Sequence, residues 1–221
     1  MKFGIVTPTY RKPDGNTPGL LKRCIDSVVN QTNQDYFHLI IGDRYEDESE
    51  ILSLIPKTAR FYNLLGPTER DFYSGFESRC CSGIKATIYG LKKLIDMGFE
   101  YLIMLDHDEW WAPNHLQLLS ENGPFAWACT KSIYTRGTVI PNIETDEKVI
   151  PFPPTPRGVV KSSVCWNYKE IPVLARNVFD STGEFEPGDV DMWKRMAIIV
   201  KEKNLKSIFI NELTNFRGRS F

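Results

Sequence analysis

The stretch that decides the fold spans residues 101–113 and has the sequence YLIMLDHDEWWAP. Its first five residues form an unbroken apolar run, which is typical of a strand buried on both faces. Two carboxylates, Asp106 and Asp108, follow this run directly. Strands of this kind form parallel sheets with helices on both faces, and ligands bind outside the carboxyl ends of such strands. The stretch therefore predicts an α/β fold with a functional site just after residue 105.

Strand and helix patterns alternate before this stretch. The predicted strands span residues 3–7, 37–42 and 59–65, and the predicted helices span residues 18–31, 46–54 and 79–97. Pro8 is expected to end the first strand because proline has no N–H for the sheet ladder, and Thr17 is expected to cap the first helix. The alternation predicts a mostly parallel sheet, with Asp43 and Asp106 at the same edge as residues 7–9.

The second half of the chain has a different character. Prolines cluster between residues 141 and 156, which predicts a long loop or a lid. Apolar spacing predicts a helix over residues 189–202, and a short apolar run predicts a strand over residues 207–210. Neither an internal repeat nor a linker is evident, so we expect a single domain, residues 1–221, with two halves.

Composition limits the classes of function. The 221 residues include 27 Lys and Arg against 28 Asp and Glu, a formal net charge of -1. A chain this balanced is a poor candidate for a non-specific nucleic-acid binder. The sequence contains no apolar run long enough for a membrane span, and the N-terminal apolar run is too short for a signal peptide, so we expect a cytoplasmic protein. Five cysteines without a C-x-x-C pair predict buried free thiols.

Two acidic segments carry the candidate chemistry. Asp106 and Asp108 could hold Mg²⁺ or Mn²⁺ that bridges to substrate phosphates, or they could form a solvated turn. The tryptophans at 110–111 suit sugar recognition beside carboxylates, or they could be ordinary core. Asp189 and Asp191 lie at the start of the last helix, where a carboxylate either complements the helix dipole or acts as a general base.

Five segments together resemble one known family. They are residues 7–10 (TPTY), 24–43 (with CIDSVVNQT and IIGD), 105–113 (LDHDEWWAP), 182–195 (with TGEFE and DVDMWKR) and 215–217 (NFR). In this order they resemble glycosyltransferases of the GT-A fold, family 2 type. Each segment alone is weakly specific, whereas the ordered set covers nearly the whole chain.

The resemblance implies a fold and a reaction. The fold is the Rossmann-like GT-A sheet, with residues 1–110 as the nucleotide-sugar-binding half and residues 111–221 as the acceptor-side half. The reaction is an inverting transfer, in one displacement, of a sugar from a nucleotide sugar to a hydroxyl of a glycan or another acceptor. The expected donor is a UDP-sugar and the expected cofactor is Mn²⁺ or Mg²⁺. The chain could be one domain of a longer protein.

The resemblance also assigns roles to residues. The nucleotide-binding set is Thr7, Pro8, Thr9, Tyr10, Asp43, Arg79, Asp106 and His107, with Tyr10 stacking on the base and Asp43 accepting a hydrogen bond from it. The metal ligands are Asp106 and Asp108. The general base is Asp189, with Asp191 as the alternative. The expected sugar or acceptor contacts are Trp110 and Glu109, and Arg219 is expected at the diphosphate.

The sequence departs from the family pattern at three places. Residues 86–88 are Ala-Thr-Ile where the family often has Ala-Arg-Asn, so Arg79 is expected to supply the cation. Gly188 replaces the usual acidic residue before the base, and Arg219 follows the last strand where a histidine is common. Two other functions stay open: a nucleotidyltransferase, although residues 7–12 lack the glycines of a phosphate loop, and a binding module without catalysis.

Overall fold

A single twisted sheet carries most of the core in the computed structural model, which describes residues 1–134, 137–176, 178–179 and 185–217. In chain order the elements are β1 (Phe3–Thr9), α1 (Thr17–Val29), β2 (Tyr36–Asp43), α2 (Glu48–Leu52), β3 (Ala59–Leu64), α3 (Gly75–Cys81), α4 (Ile84–Asp96), β4 (Tyr101–Met104), β5 (Glu109–Trp111), α5 (His115–Glu121), β6 (Trp127–Ile133), β7 (Val139–Ile140), β8 (Val149–Pro151), β9 (Val164–Asn167), β10 (Val178–Phe179), β11 (Phe185–Glu186), α6 (Gly188–Glu202) and β12 (Ser207–Arg217). The main sheet has the order β3-β2-β1-β4-β9-β6-β12-β5.

The first four strands form the parallel part of this sheet. β1 lies between β2 and β4, and β3 extends the sheet beyond β2, all in parallel register. Every residue of β1 is buried, as expected for a strand covered on both faces. Helix α4 approaches this region closely at Gly90, where a Cβ would lie 2.3 Å from Val6 Cγ2. The α/β class predicted from the alternating pattern is confirmed.

The later strands join this parallel part through antiparallel neighbours. β9 pairs antiparallel with both β4 and β6. β12 runs parallel to β6 and antiparallel to the short β5 strand. The proline-rich stretch, predicted as a loop or a lid, contributes strand β8, which pairs antiparallel with β12. Within the described residues, no helix is both long and apolar enough to cross a membrane.

Three boundaries differ from the sequence prediction. β1 continues through Pro8 to Thr9, because pairing with β4 stops at Val6 and a missing N–H is tolerated where one side of the strand is unpaired. Helix α1 begins at Thr17 with Asn16, rather than Thr17, as its N-cap. β12 extends to Arg217, well beyond the apolar run at 207–210 that predicted it.

The helix predicted over residues 79–97 is two helices, α3 and α4, separated at Gly83. Gly83 has a φ of +72°, a left-handed conformation that favours glycine. The N-terminus of α4 is satisfied from outside the helix, since the Lys85 N–H donates to Glu69 Oε1 at 2.5 Å. The apolar spacing did not show this break because the apolar residues that predicted the helix, from Ile84 to Ile95, all lie within α4.

Candidate active site

A cavity of about 920 Å³ opens at the carboxyl ends of β1, β2 and β4. Residues 8–10 line it after β1, Asp43 lines it at the end of β2, and residues 106–108 line it after β4. The prediction that these strand ends share one edge of the sheet is confirmed. Thr7 lies beneath the cavity, where its Oγ1 is 2.8 Å from Nε2 of the buried His38. Thr7 therefore supports the wall rather than forming it.

An aromatic and acidic corner occupies the β1–β2 side of the cavity. The rings of Tyr10 and His107 meet edge to face, with centroids 5.6 Å apart. The Arg70 guanidinium lies 4.8 Å from the centroid of the Tyr10 ring, and its Nε is 3.2 Å from Asp43 Oδ2. Asp43 is buried, and neither of its carboxylate oxygens accepts a hydrogen bond from a described residue. Tyr10 lines the cavity, and Asp43 Oδ1, which the Arg70 ion pair leaves without a partner among the described residues, is open to a ligand.

His107 is a buried member of this corner. Burial lowers the pKa of its imidazole below the ordinary value. Its Nδ1 lies 3.3 Å from the Pro8 carbonyl oxygen. Since a carbonyl only accepts, this nitrogen is the natural place for the ring proton. His107 therefore links the β1 and β4 ends of the cavity.

Asp106 and Asp108 both face the cavity, and each is paired with a lysine. Asp106 Oδ1 lies 2.5 Å from Lys161 Nζ, and Asp108 Oδ2 lies 3.0 Å from Lys12 Nζ. Burial by itself raises the pKa of Asp108, but His107 and Lys12 outweigh it, so that the pKa is lowered. The backbone N–H of Asp106 donates to Ser162 Oγ at 3.1 Å, which fixes the start of the turn.

This carboxylate pair fits a small divalent cation. Mg²⁺ and similar ions commonly take one or two protein carboxylates and complete their shell with water and substrate phosphates. Among the described residues there is no group of three or more His, Cys, Asp or Glu side chains placed to hold an ion. An ion at Asp106 and Asp108 would therefore draw its other ligands from substrate and water. The two ammonium groups are its competitors for the carboxylate oxygens.

Glu109 lies behind this pair and is fully buried. Its Oε1 is 3.4 Å from Arg217 Nε, and its Oε2 accepts a hydrogen bond from Asn215 Nδ2 at 3.3 Å. Burial, together with the charge of Asp106, raises the pKa of Glu109 to about 7. Arg217 in turn lines the cavity beside Tyr134, with 4.7 Å between the guanidinium and the ring centroid. Glu109 acts on the cavity through Arg217 rather than by contact.

The two tryptophans of the 101–113 stretch lie outside the cavity wall. Trp110 stacks on Phe216 at 5.7 Å between centroids, and the Arg23 guanidinium lies 3.7 Å from its ring centre. Trp111 is buried, and its Nε1–H donates to the Ser162 carbonyl at 2.8 Å. The structure thus gives no support to sugar stacking by Trp110, since neighbours occupy its ring. Trp111 follows the alternative prediction of core packing.

The start of α6 brings one of its two aspartates to the cavity. Asp189 lines the cavity, whereas Asp191 is 8% exposed and faces away. Asp191 accepts hydrogen bonds from Arg176 Nε at 3.1 Å and from Arg195 Nε at 2.7 Å. Because both of its neighbours are guanidinium groups, Asp191 is held as the centre of a structural ion-pair cluster.

Several cavity residues were not predicted from the sequence. They are Lys12, Tyr134, Arg157, Lys161 and Arg217, and Arg70 pairs with the cavity residue Asp43. Most lie in turns and loops, where apolar periodicity carries no signal, and only the cationic pair at residues 11–12 was noticeable. The side chain of Arg79 and the whole of Arg219, two predicted cations, lie outside the described part of the chain.

The strand order and the carboxylate pair after β4 define the GT-A class of α/β enzymes, as the sequence predicts. Solved structures of this class superpose well. The Staphylococcus aureus TarS fragment 1–349 in complex with UDP-GlcNAc gives a TM-score of 0.68 at 12% identity. The mannosyltransferase PcManGT of Pyrobaculum calidifontis, in complex with GDP-Man and Mn²⁺, gives 0.59 at 13% identity. These matches cover 100% and 96% of this chain but only 60% and 56% of the others.

Sequence comparison identifies the family. No family model matches the chain. A curated relative, the uncharacterized glycosyltransferase R139 of Acanthamoeba polyphaga mimivirus, is 31% identical over 234 aligned residues, which cover 97% of this chain and 92% of the relative. The chain belongs to the glycosyltransferases.

Proposed function

We propose that this chain is a metal-dependent, inverting glycosyltransferase that uses a nucleotide sugar as donor. One observation carries the proposal: Asp189 and the carboxylates of Asp106 and Asp108 line the same cavity. The Lys161 ammonium pairs with Asp106 Oδ1 at 2.5 Å and lines the same cavity. A single displacement needs such an arrangement. A cation must stabilise the negative charge on the leaving diphosphate, and a base must lie near the acceptor hydroxyl.

The nucleotide base belongs at the corner of Tyr10, His107 and Asp43. Tyr10 offers a ring face for stacking, and the unsatisfied carboxylate of Asp43 accepts an N–H of the base. TarS has been solved with UDP-GlcNAc and with UDP, and PcManGT with GDP-Man. A uridine diphosphate sugar is the donor we propose, since the resemblance of residues 7–10 and 40–43 points to uracil.

Asp106 and Asp108 would hold Mn²⁺ or Mg²⁺ at the diphosphate. When bound, the ion offsets the negative charge that develops on the departing nucleoside diphosphate. Lys12, Lys161 and Arg217 add positive charge on the same side of the cavity. Arg217 is oriented for this role by the buried carboxylate of Glu109. Residues 1–110 thus supply the base contacts, the metal ligands and Lys12, and residues 111–217 supply Lys161, Arg217 and the base of the acceptor side.

Asp189 is the general base in this proposal, and Asp191 is not. A base must reach the acceptor hydroxyl, and only Asp189 of the two lines the cavity. Its Oδ1 accepts the Val190 N–H at 3.0 Å, which orients the carboxylate, and its other oxygen is the one we assign to the substrate. The acceptor hydroxyl of a glycan or another sugar-bearing molecule would donate its proton to that oxygen as the new glycosidic bond forms.

The experiment that tests the proposal is a thermal-shift panel of UDP, GDP, TDP and CMP, each with Mn²⁺, Mg²⁺ or chelator. Specific binding at a hundredfold excess over Kd adds about 2.7 kcal/mol to stability, which such an assay resolves. We expect a metal-dependent shift with UDP, followed by release of UDP from a UDP-sugar in a coupled assay. Absence of a shift with every nucleotide would contradict the proposal. Binding without turnover would favour a non-catalytic module, and pyrophosphate release from a nucleoside triphosphate would favour a nucleotidyltransferase.

A further inference from the structure

Two lysines, Lys12 and Lys161, form ion pairs with the carboxylates of the candidate metal site. Their ammonium groups lie 3.0 Å from Asp108 Oδ2 and 2.5 Å from Asp106 Oδ1. Both lysine side chains line the cavity and are largely covered, with 22% and 21% of their surface exposed. Each carboxylate of the pair therefore has its own cation from the protein.

The backbone holds both lysines in place. The Lys12 N–H donates to Thr17 Oγ1 at 2.8 Å, and the same hydroxyl donates to the Tyr10 carbonyl at 3.0 Å. Lys161 begins the 3-10 turn Lys161–Ser163, which is joined to the metal-site turn by the hydrogen bond from the Asp106 N–H to Ser162 Oγ. These hydrogen bonds therefore fix the loops that carry Lys12 and Lys161 next to the two carboxylates.

An ion that enters the site must compete with both ammonium groups. A divalent cation uses the same carboxylate oxygens and repels the lysines at close range. Lys161 is especially well held, since its ammonium lies 2.5 Å from Asp106 Oδ1 and only 21% of its side chain is exposed. A metal ion alone offers the displaced ammonium groups no new partner. A nucleoside diphosphate does, because its phosphate oxygens lie next to the ion that bridges to them.

We propose that Lys12 and Lys161 occupy the carboxylate pair until the donor arrives and then bind its diphosphate, so that metal and nucleotide bind tightly only together. This inference rests on the proposed function for the identity of the donor. It adds two positioning residues for the diphosphate and an order of binding that disfavours the metal without the nucleotide.

The test measures Mn²⁺ binding without nucleotide, from the electron paramagnetic resonance signal of free Mn²⁺. The proteins are the wild type, Lys12→Met, Lys161→Met and the double variant. The double variant should bind Mn²⁺ about tenfold more tightly than the wild type, and each single variant should show a smaller gain. Lys169→Met is the matched control because it breaks an exposed ion pair with Glu100, and it should leave Mn²⁺ binding unchanged. Equal Mn²⁺ affinity in the wild type and all three site variants overturns the proposal.

The second measurement is the affinity for UDP at saturating Mn²⁺, by calorimetry. It should fall about tenfold in the double variant, while Lys161→Arg, which keeps a cation, should retain most of it. An unchanged UDP affinity in the double variant overturns the diphosphate contact. Circular dichroism melting checks that each variant folds. If no nucleotide binds the wild type, the proposed function and the diphosphate contact fail. The Mn²⁺ titration still decides whether the lysines compete with the ion for the carboxylates.

Discussion

The chain contains the pattern Asp-x-Asp at two places in the cavity region, and the two behave differently. Asp106 and Asp108 lie in the turn between β4 and β5, and both side chains line the cavity. Asp189 and Asp191 lie in the first turn of α6, and only Asp189 lines the cavity. The same three-residue pattern thus yields a pair of cooperating carboxylates in one region and two unrelated carboxylates in the other.

Local backbone geometry explains the difference. The turn at 106–109 is closed by a hydrogen bond from the Glu109 N–H to the Asp106 carbonyl at 3.0 Å, and it folds both aspartates back toward the strand ends. In a helix, each residue rotates by about 100°, so residues two apart point in nearly opposite directions. Asp191 is therefore turned into the protein, where Arg176 and Arg195 neutralise it. Whether both aspartates of the pattern reach the cavity therefore depends on whether they lie in a turn or in a helix.

The largest expected effect comes from Asp189→Asn. If Asp189 is the base, this change should lower kcat by about two to four orders of magnitude, the usual contribution of a general base. The Kd for UDP with Mn²⁺ should stay within about twofold of the wild type, since Asp189 is proposed to contact the acceptor hydroxyl and not the nucleotide. Sugar transfer measured by UDP release, with calorimetry for binding, checks both. Transfer at the wild-type rate in this variant would exclude Asp189 as the base.

The fold was largely predictable from the sequence because the first half obeys strand and helix periodicity. Residues 101–105 are apolar without interruption and residues 37–42 are apolar apart from His38, so their burial and their strand ends could be located. What periodicity could not detect was the break at Gly83, which depends on a positive φ and on Glu69 capping α4 from a distant turn. Such long-range caps leave no local pattern.

The candidate site was predictable where it lies at strand ends and, for Asp189, at the start of α6. Asp43, Asp106 and Asp108 follow apolar runs, whereas Lys161 and Arg70 lie in turns and meet those carboxylates only after folding. Trp110 was predicted at the sugar because of its sequence neighbours, but β5 turns it toward Phe216 and Arg23. A position at the end of a strand was therefore a better predictor of a site residue than closeness to the site in sequence.

Asp191→Asn should affect stability rather than chemistry. Removing the charge leaves two guanidinium groups around a buried amide, and breaking a buried ion pair costs about 3–5 kcal/mol. Because the Arg176 side chain is 59% exposed, we expect about 2 kcal/mol here. Urea unfolding measures this loss, and kcat per folded molecule should stay within about twofold of the wild type. Lost transfer in a variant of normal stability would instead place Asp191 in the chemistry.

Glu109→Gln tests how the buried carboxylate behind Asp106 and Asp108 affects stability. An unfolded glutamate ionises near pH 4.5, while the pKa of folded Glu109 is about 7. Between these values the unfolded state binds fewer protons, so the contribution of Glu109 to stability is fully present below pH 4.5 and is lost as the pH rises through 7.

Urea unfolding of the metal-free protein between about pH 5 and pH 8 measures this loss. The wild type should lose about 2 kcal/mol more than Glu109→Gln over that range. The exposed Glu202→Gln is the control and should follow the wild type. Parallel pH curves for the wild type and Glu109→Gln would show that the folded protein ionises Glu109 as readily as the unfolded chain.

The smallest effect is expected from Gly188→Ala. This change tests whether a side chain fits at the position before Asp189. A Cβ at this position would lie 2.3 Å from Ile84 Cδ1 and 2.9 Å from the Arg176 carbonyl oxygen. Ile84 can change rotamer, but a backbone carbonyl cannot withdraw without moving its chain. We expect a loss of about 1 kcal/mol, measured by urea unfolding, because overpacking exceeds the gain in helix propensity. Gly19→Ala in the first turn of α1, where no atom lies within 4 Å, should be neutral or stabilising. A stabilised Gly188→Ala protein would show that Ile84 and the Arg176 carbonyl leave room for a Cβ at this position.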